Sequence, residues 1–143
     1  ELTFKNFHLI DIKENKVNLK DIAEQNEFTV LYFWFSSCGP CRSFNQKIDN
    51  ETIKELNESE IEFVSINTDF NKEDWKKSSE QDNIFWKNLY GGNLKDDIEY
   101  EYGIKGYPTK IVFNKSLEVT EFSFSNPKDL LELKELQLEK TIK

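Results

Sequence analysis

Hydrophobic residues run almost unbroken from Phe28 to Phe35, with Thr29 the only interruption. Such a run, bounded by polar turn residues, reads as a strand buried on both faces. Beyond it, Phe44, Ile48, Ile53 and Leu56 fall on one face of a helical segment. Ile61 to Asn67 gives a second strand that ends at Thr68-Asp69. Asn71 to Ser79 reads as a helix, with Asn71 as N-cap, Glu73 and Asp74 in the first turn and Trp75 facing inward. Gln81 to Asn93 reads as a short strand and loop, and Leu94 to Tyr102 as a short helix stopped by Gly103. Thr109 to Phe113 and Val119 to Phe124 form two strands about a turn at Asn114 to Ser116. Asn126-Pro127 opens a last helix with apolar positions Leu130, Leu131, Leu133, Leu136 and Leu138. Upstream, Phe7 to Ile12 and Lys16 to Leu19 form a hairpin at a sheet edge, and Lys20 to Gln25 a brief helical turn. The pattern predicts one α/β domain over residues 1–143, with helices flanking a sheet that a hairpin and a terminal helix close.

Composition adds limits. The chain has 143 residues, enough for a sizeable core, and its 12 Phe predict an aromatic one. A net charge of −8 with no basic cluster argues against nucleic acid as a partner. No apolar run approaches the roughly 20 residues of a membrane helix. The chain does not begin with Met and contains none, so a natural N-terminus upstream of Glu1 is expected, with room there for an export signal or lipid anchor.

The chemistry centres on Cys38 and Cys41, the only two cysteines, separated by Gly39-Pro40 at the strand-to-helix junction. In the first turn of a helix, residues i and i+3 share a face, which brings two sulfurs toward bonding distance. Unpaired N–H groups and the positive end of the helix dipole favour a Cys38 thiolate, and Pro40 fits where no donor is needed. Zinc wants four ligands, and one cysteine pair with a single His, His8, supplies too few. A purely structural disulfide between such close neighbours constrains little of the unfolded chain. Redox activity is the stronger reading. Arg42 reads equally as a cation raising the potential beside the thiols and as a solvated helix residue.

A second signal is Gly106-Tyr107-Pro108-Thr109, where a proline enters a strand. One reading is a turn or strand edge. The other is a cis Tyr107–Pro108 bond that leaves the Tyr107 backbone free to pair with an incoming chain. The residues alone favour the first, since only about one X–Pro bond in twenty is cis in folded proteins.

Taken together, Phe33-Trp34, Cys-Gly-Pro-Cys and Gly-Tyr-Pro-Thr resemble the thioredoxin fold. The N-terminal hairpin with its Val17 to Ile22 run, Ser65 to Asp69 followed by Trp75, and the long stretch from Asp69 to Pro108 are similar to the TlpA/ResA-type thiol-disulfide oxidoreductases of the bacterial envelope. The resemblance implies a central mixed sheet flanked by helices, with an N-terminal hairpin and a central insertion. It implies that Cys38 is the nucleophile, Cys41 the buried resolving thiol and Pro108 a cis residue beside them. Trp34, Ser37, Gly39, Pro40, Tyr107 and Pro108 would then line the substrate groove. It further implies export to the envelope, protein thiols or disulfides as substrates, an upstream electron donor, no cofactor and a monomeric domain. Gly39-Pro40 is thioredoxin's own pair and leans the potential toward its roughly −270 mV.

The chain departs from that pattern in four places. Tyr32 stands where thioredoxin has a buried carboxylate, Phe44 where ResA-like proteins often have Glu, Ser37 where Trp is usual, and Gln46 where a proline kinks the redox helix. No carboxylate is therefore expected beside Cys41, and the Tyr32 hydroxyl is expected to point at the pair. Two rival functions use the same thiols: a Cu(I) chaperone, which would want a further His or Met ligand, and a disulfide oxidase or isomerase.

Overall fold

The computed structural model describes residues 2–142. Strand β3 (Phe28–Trp34) lies inside the sheet, and all seven of its residues are buried. Its apolar run is the consequence of cover on both faces. It pairs in parallel with β4 (Ile61–Asn67) and antiparallel with β6 (Thr109–Asn114). The remaining strands are β1 (His8–Ile10), β2 (Lys16–Asn18), β5 (Lys87–Tyr90) and β7 (Val119–Thr120). The mixed sheet runs β2-β1-β5-β4-β3-β6-β7, with β5 parallel to β4 and the β1–β2 hairpin antiparallel at one edge.

Helices α1 (Leu19–Glu24), α2 (Gly39–Gln46), α3 (Asn50–Glu58), α4 (Lys72–Gln81), α5 (Lys95–Tyr102) and α6 (Glu132–Ile142) cover the two faces. Alternation along β3 divides the core. Tyr32 and Trp34 join Cys41, Phe44, Phe63, Trp75 and Trp86 on one side. Leu31 and Phe33 join Leu9, Ile66, Leu89, Ile98 and Tyr102 on the other. Asn71 caps α4 by accepting from the Glu73 N–H at 2.9 Å, and Gly103 ends α5 at φ +62°, as the sequence predicts.

Three expectations are corrected. The helical segment from Phe44 to Leu56 is two helices, broken at residues 47–49. Asp49 restarts it, because its carboxylate accepts from the Thr52 N–H at 2.8 Å and caps a new helix. The apolar face survives the break, with Phe44, Ile48, Ile53 and Leu56 all buried. β7 stops at Thr120, because Phe122 and Phe124 leave the ladder to pack, Phe124 lying 6.3 Å from the Phe44 ring. The last helix begins as a 3₁₀ turn over Pro127–Leu131. Leu130 and Leu133 are fully buried, while Leu136 and Leu138 face solvent.

Candidate active site

β3 and β4 end side by side, and the Thr68 N–H donates to the Trp34 carbonyl at 3.0 Å. The chain then turns through residues 35–37 into α2. Cys38 is the N-cap of α2, one residue earlier than the first turn. Its sulfur takes the place of a capping oxygen, accepting from the Cys41 N–H at 3.2 Å. Cys38 and Cys41 form a disulfide with Cα atoms 5.2 Å apart. Cys38 is 6% exposed and Cys41 fully buried. Around them Ser37, Gly39 and Pro40 are exposed.

Trp34 is the exception among the groove residues read from the sequence. It is fully buried among the side chains beneath α2 and cannot touch a substrate. A strand covered on both faces offers no polar–apolar contrast, so its sequence does not mark which residues reach the surface.

The Tyr107–Pro108 bond is cis. Thr109 pairs with Phe33, so Tyr107 and Pro108 precede the β6 ladder at the sheet end from which the chain runs to Cys38. The Tyr107 ring packs edge-on against Phe35 with centroids 4.9 Å apart. Its hydroxyl donates to Glu99 at 2.7 Å and accepts from Thr68 at 3.0 Å, while burial raises its pKa. Of the tyrosines before the proline, Tyr100 is exposed, Tyr102 lies in the core, and Tyr107, partly buried, packs against that core and against Phe35.

Two acidic residues brace the approach to Cys38. Asp69 accepts from the Ser36 N–H at 2.8 Å and also from the Ser36 hydroxyl. Arg42 makes a two-point contact with Asp82, Nε at 2.6 Å and Nη2 at 2.9 Å, and donates from Nη1 to the Ser36 carbonyl at 3.1 Å. Asn45 and Gln46 add hydrogen bonds to Asp82 at 3.0 and 3.1 Å. Burial alone would raise the Asp82 carboxyl, but these hydrogen bonds and the guanidinium charge hold it below the usual range. Gln46 thus anchors the end of α2. Arg42 matches neither of its two readings: it is committed to Asp82 and to the Ser36 carbonyl, so it is neither a solvated helix residue nor a cation turned on the thiols.

The Tyr32 hydroxyl donates to the Cys41 carbonyl at 2.9 Å, so it supports the backbone of the pair and does not point at a sulfur. Burial, then the Asp82 charge, raises the Tyr32 pKa. Phe44 packs on Tyr32 at 4.9 Å. Lys110 lies over the Phe44 and Phe124 rings and donates to the Phe124 carbonyl at 2.6 Å; burial lowers its pKa. His8 sits on β1, which β5 and β4 separate from β3. Local sequence marks none of the Asp69–Ser36 or Asp82–Arg42 contacts, because each joins residues more than thirty positions apart.

A thioredoxin-fold sheet with a cysteine pair capping the helix after a buried inner strand defines a class of redox protein. The Thioredoxin-like family model matches residues 26–119. Thioredoxin from Porphyra purpurea is 32% identical over 116 residues, covering 80% of this chain and 84% of its own. The thioredoxin domain of a thiol-disulfide oxidoreductase from Bacteroides vulgatus superposes with a TM-score of 0.77 at 22% identity, over 99% of this chain and 96% of its own. A protein assigned as the thiol:disulfide interchange protein DsbE of Chlorobium tepidum gives a TM-score of 0.75 at 26% identity, over 95% and 94%. The chain belongs to the thioredoxin-like family of thiol-disulfide oxidoreductases and carries a Cys-x-x-Cys pair at disulfide distance.

Proposed function

We propose that the protein reduces disulfides of other proteins in the bacterial envelope, with Cys38 as nucleophile and Cys41 as resolving thiol. The observation that carries this is the position of Cys38 at the start of α2, its sulfur already accepting a helix N–H, with Cys41 fully buried behind it. In the reduced form the same N–H and the helix dipole stabilise a Cys38 thiolate. That thiolate attacks one sulfur of the substrate disulfide, forming a mixed disulfide and expelling the other sulfur as a thiolate. Cys41 then loses its proton and attacks Cys38, which releases the second substrate sulfur. The substrate gains two electrons and the protein is left as the disulfide. An upstream dithiol donor returns the two electrons.

Exposed Ser37, Gly39 and Pro40 and the Tyr107–Pro108 segment form the groove floor in this reading. The Tyr107 backbone, lying before the ladder, offers main-chain pairing to an extended substrate. The Cys41 proton goes to water or to the departing thiolate. Tyr32 is committed to a carbonyl, Asp69 to Ser36, and Asp82 is held ionised by Arg42. Gly39-Pro40 supports reduction as the direction, and the likeness to the interchange protein supports an envelope location.

The test is trapping with Cys41→Ala, in which the mixed disulfide cannot resolve. Envelope proteins should be captured in dithiothreitol-sensitive adducts that a further Cys38→Ala abolishes. Adducts that persist without Cys38 would sink the assignment.

A further inference from the structure

Phe70 is 98% exposed, the most exposed of the large apolar side chains among the described residues. Single exposed apolar residues are ordinary on proteins. What sets Phe70 apart is that its backbone is fixed and that its neighbour Asp69 holds the segment leading into Cys38. The Tyr90 hydroxyl is shared between the carbonyls of Asp69 and Phe70, at 2.8 and 3.1 Å. Asn71, the next residue, is locked as the cap of α4. Asp69, the preceding one, grips Ser36, two residues before Cys38. The ring stands as a ridge between two open clefts. One, of about 430 Å³, is lined by His8, Ile10, Lys72 and Tyr90. The other, of about 630 Å³, is lined by Leu94, Lys95 and Asp96.

A protein that brings a disulfide to Cys38 covers far more than the cysteine pair, since a standard interface takes about 800 Å² on each side. Such a footprint runs across the adjoining strand ends, and Phe70 lies in the loop that follows β4, next to the Asp69 that holds Ser36. Rigid aromatic anchors carry much of the energy of such interfaces. We propose that Phe70 is an apolar anchor for the polypeptide that presents its disulfide to Cys38, giving preference to partners with apolar side chains beside that disulfide. This rests on the oxidoreductase reading above.

The test uses two disulfide-closed peptides that differ only beside the cysteines, Leu and Phe in one and Ser and Asn in the other, with dithiobis(nitrobenzoate) as a small disulfide. Wild type should reduce the apolar peptide faster. Phe70→Ser should lower kcat/KM for it by about five- to tenfold, a typical anchor loss, and leave the polar peptide and the small disulfide unchanged. Phe70→Trp should retain the preference, and the thermal midpoint of Phe70→Ser should equal wild type. A preference that survives Phe70→Ser, or an equal loss on both peptides, would overturn the proposal. So would a dimer in gel filtration that Phe70→Ser dissociates, because the ring would then serve a second copy of the chain. A wild type that reduces none of the three disulfides refutes the oxidoreductase reading itself, and the anchor with it.

Discussion

Cys38 and Cys41 stand three positions apart in sequence, yet the helix gives them different surroundings. Cys38 holds the capping position and a margin of exposure, while Cys41 sits behind it with none. Iodoacetamide at neutral pH should therefore label Cys38 of the reduced protein well before Cys41, as peptide mass mapping would show; equal rates would remove the nucleophile assignment. In the proposed mechanism the second half-reaction depends on Cys41, whose burial disfavours the thiolate. Tyr32 is bound to the Cys41 carbonyl and Asp82 lies below the usual carboxylate range, so the proposed mechanism sends that proton to water or to the departing thiolate. Resolution, followed by stopped-flow release of a chromogenic thiol, should accelerate steadily with pH up to the Cys41 pKa. A rate flat between about pH 5 and 8 would reveal a tuned base beside Cys41.

At the scale of elements, α2 is held by its flank as well as by its buried face. Arg42, Asn45 and Gln46 converge on one buried carboxylate at the end of α4. Removing it strands a guanidinium, so Asp82→Ala should cost about 3 kcal/mol in urea unfolding at neutral pH. Asp82 has a lowered folded pKa, so its contribution is complete above the unfolded carboxylate range and is lost as pH falls through the folded value. The difference between Asp82→Ala and wild type should accordingly narrow below about pH 4. The terminal helix divides just as sharply. Leu133 is fully buried and Leu136 is 41% exposed. Leu133→Ala should cost about 3 kcal/mol and Leu136→Ala less than about 0.5, read from the same unfolding curves.

Across the whole molecule, features written locally were legible and those joining distant residues were not. The run at Phe28 to Phe35, the Asn71 cap, the Gly103 stop and the cysteine pair all follow from neighbours in sequence. Asp49 falls inside the helical spacing of Phe44 to Leu56, and its capping role appears only with the Thr52 N–H in place. Phe122 and Phe124 continued a strand pattern, but the space against Phe44 drew them away. Trp34 and Tyr32 were identified as special, yet which way each pointed depended on helices still to be placed. The two braces of Ser36 exist only once α4 and the end of β4 lie beside α2.

The loop carrying Asp69 is gripped in front by Ser36 and behind by the Tyr90 hydroxyl. That rear contact is close because the chain passes under the loop at Gly92, where a Cβ would overlap both the Asp69 carbonyl oxygen and the Tyr90 hydroxyl. Any side chain at 92 must push the loop forward, against the residues that lead into Cys38. Gly92→Ala should therefore slow disulfide reduction and cost about 1–3 kcal/mol in unfolding, although position 92 takes no part in the chemistry. In a mutational scan it would score like an active-site residue, and a lineage drifting in sequence would be nearly as constrained there as at its cysteines.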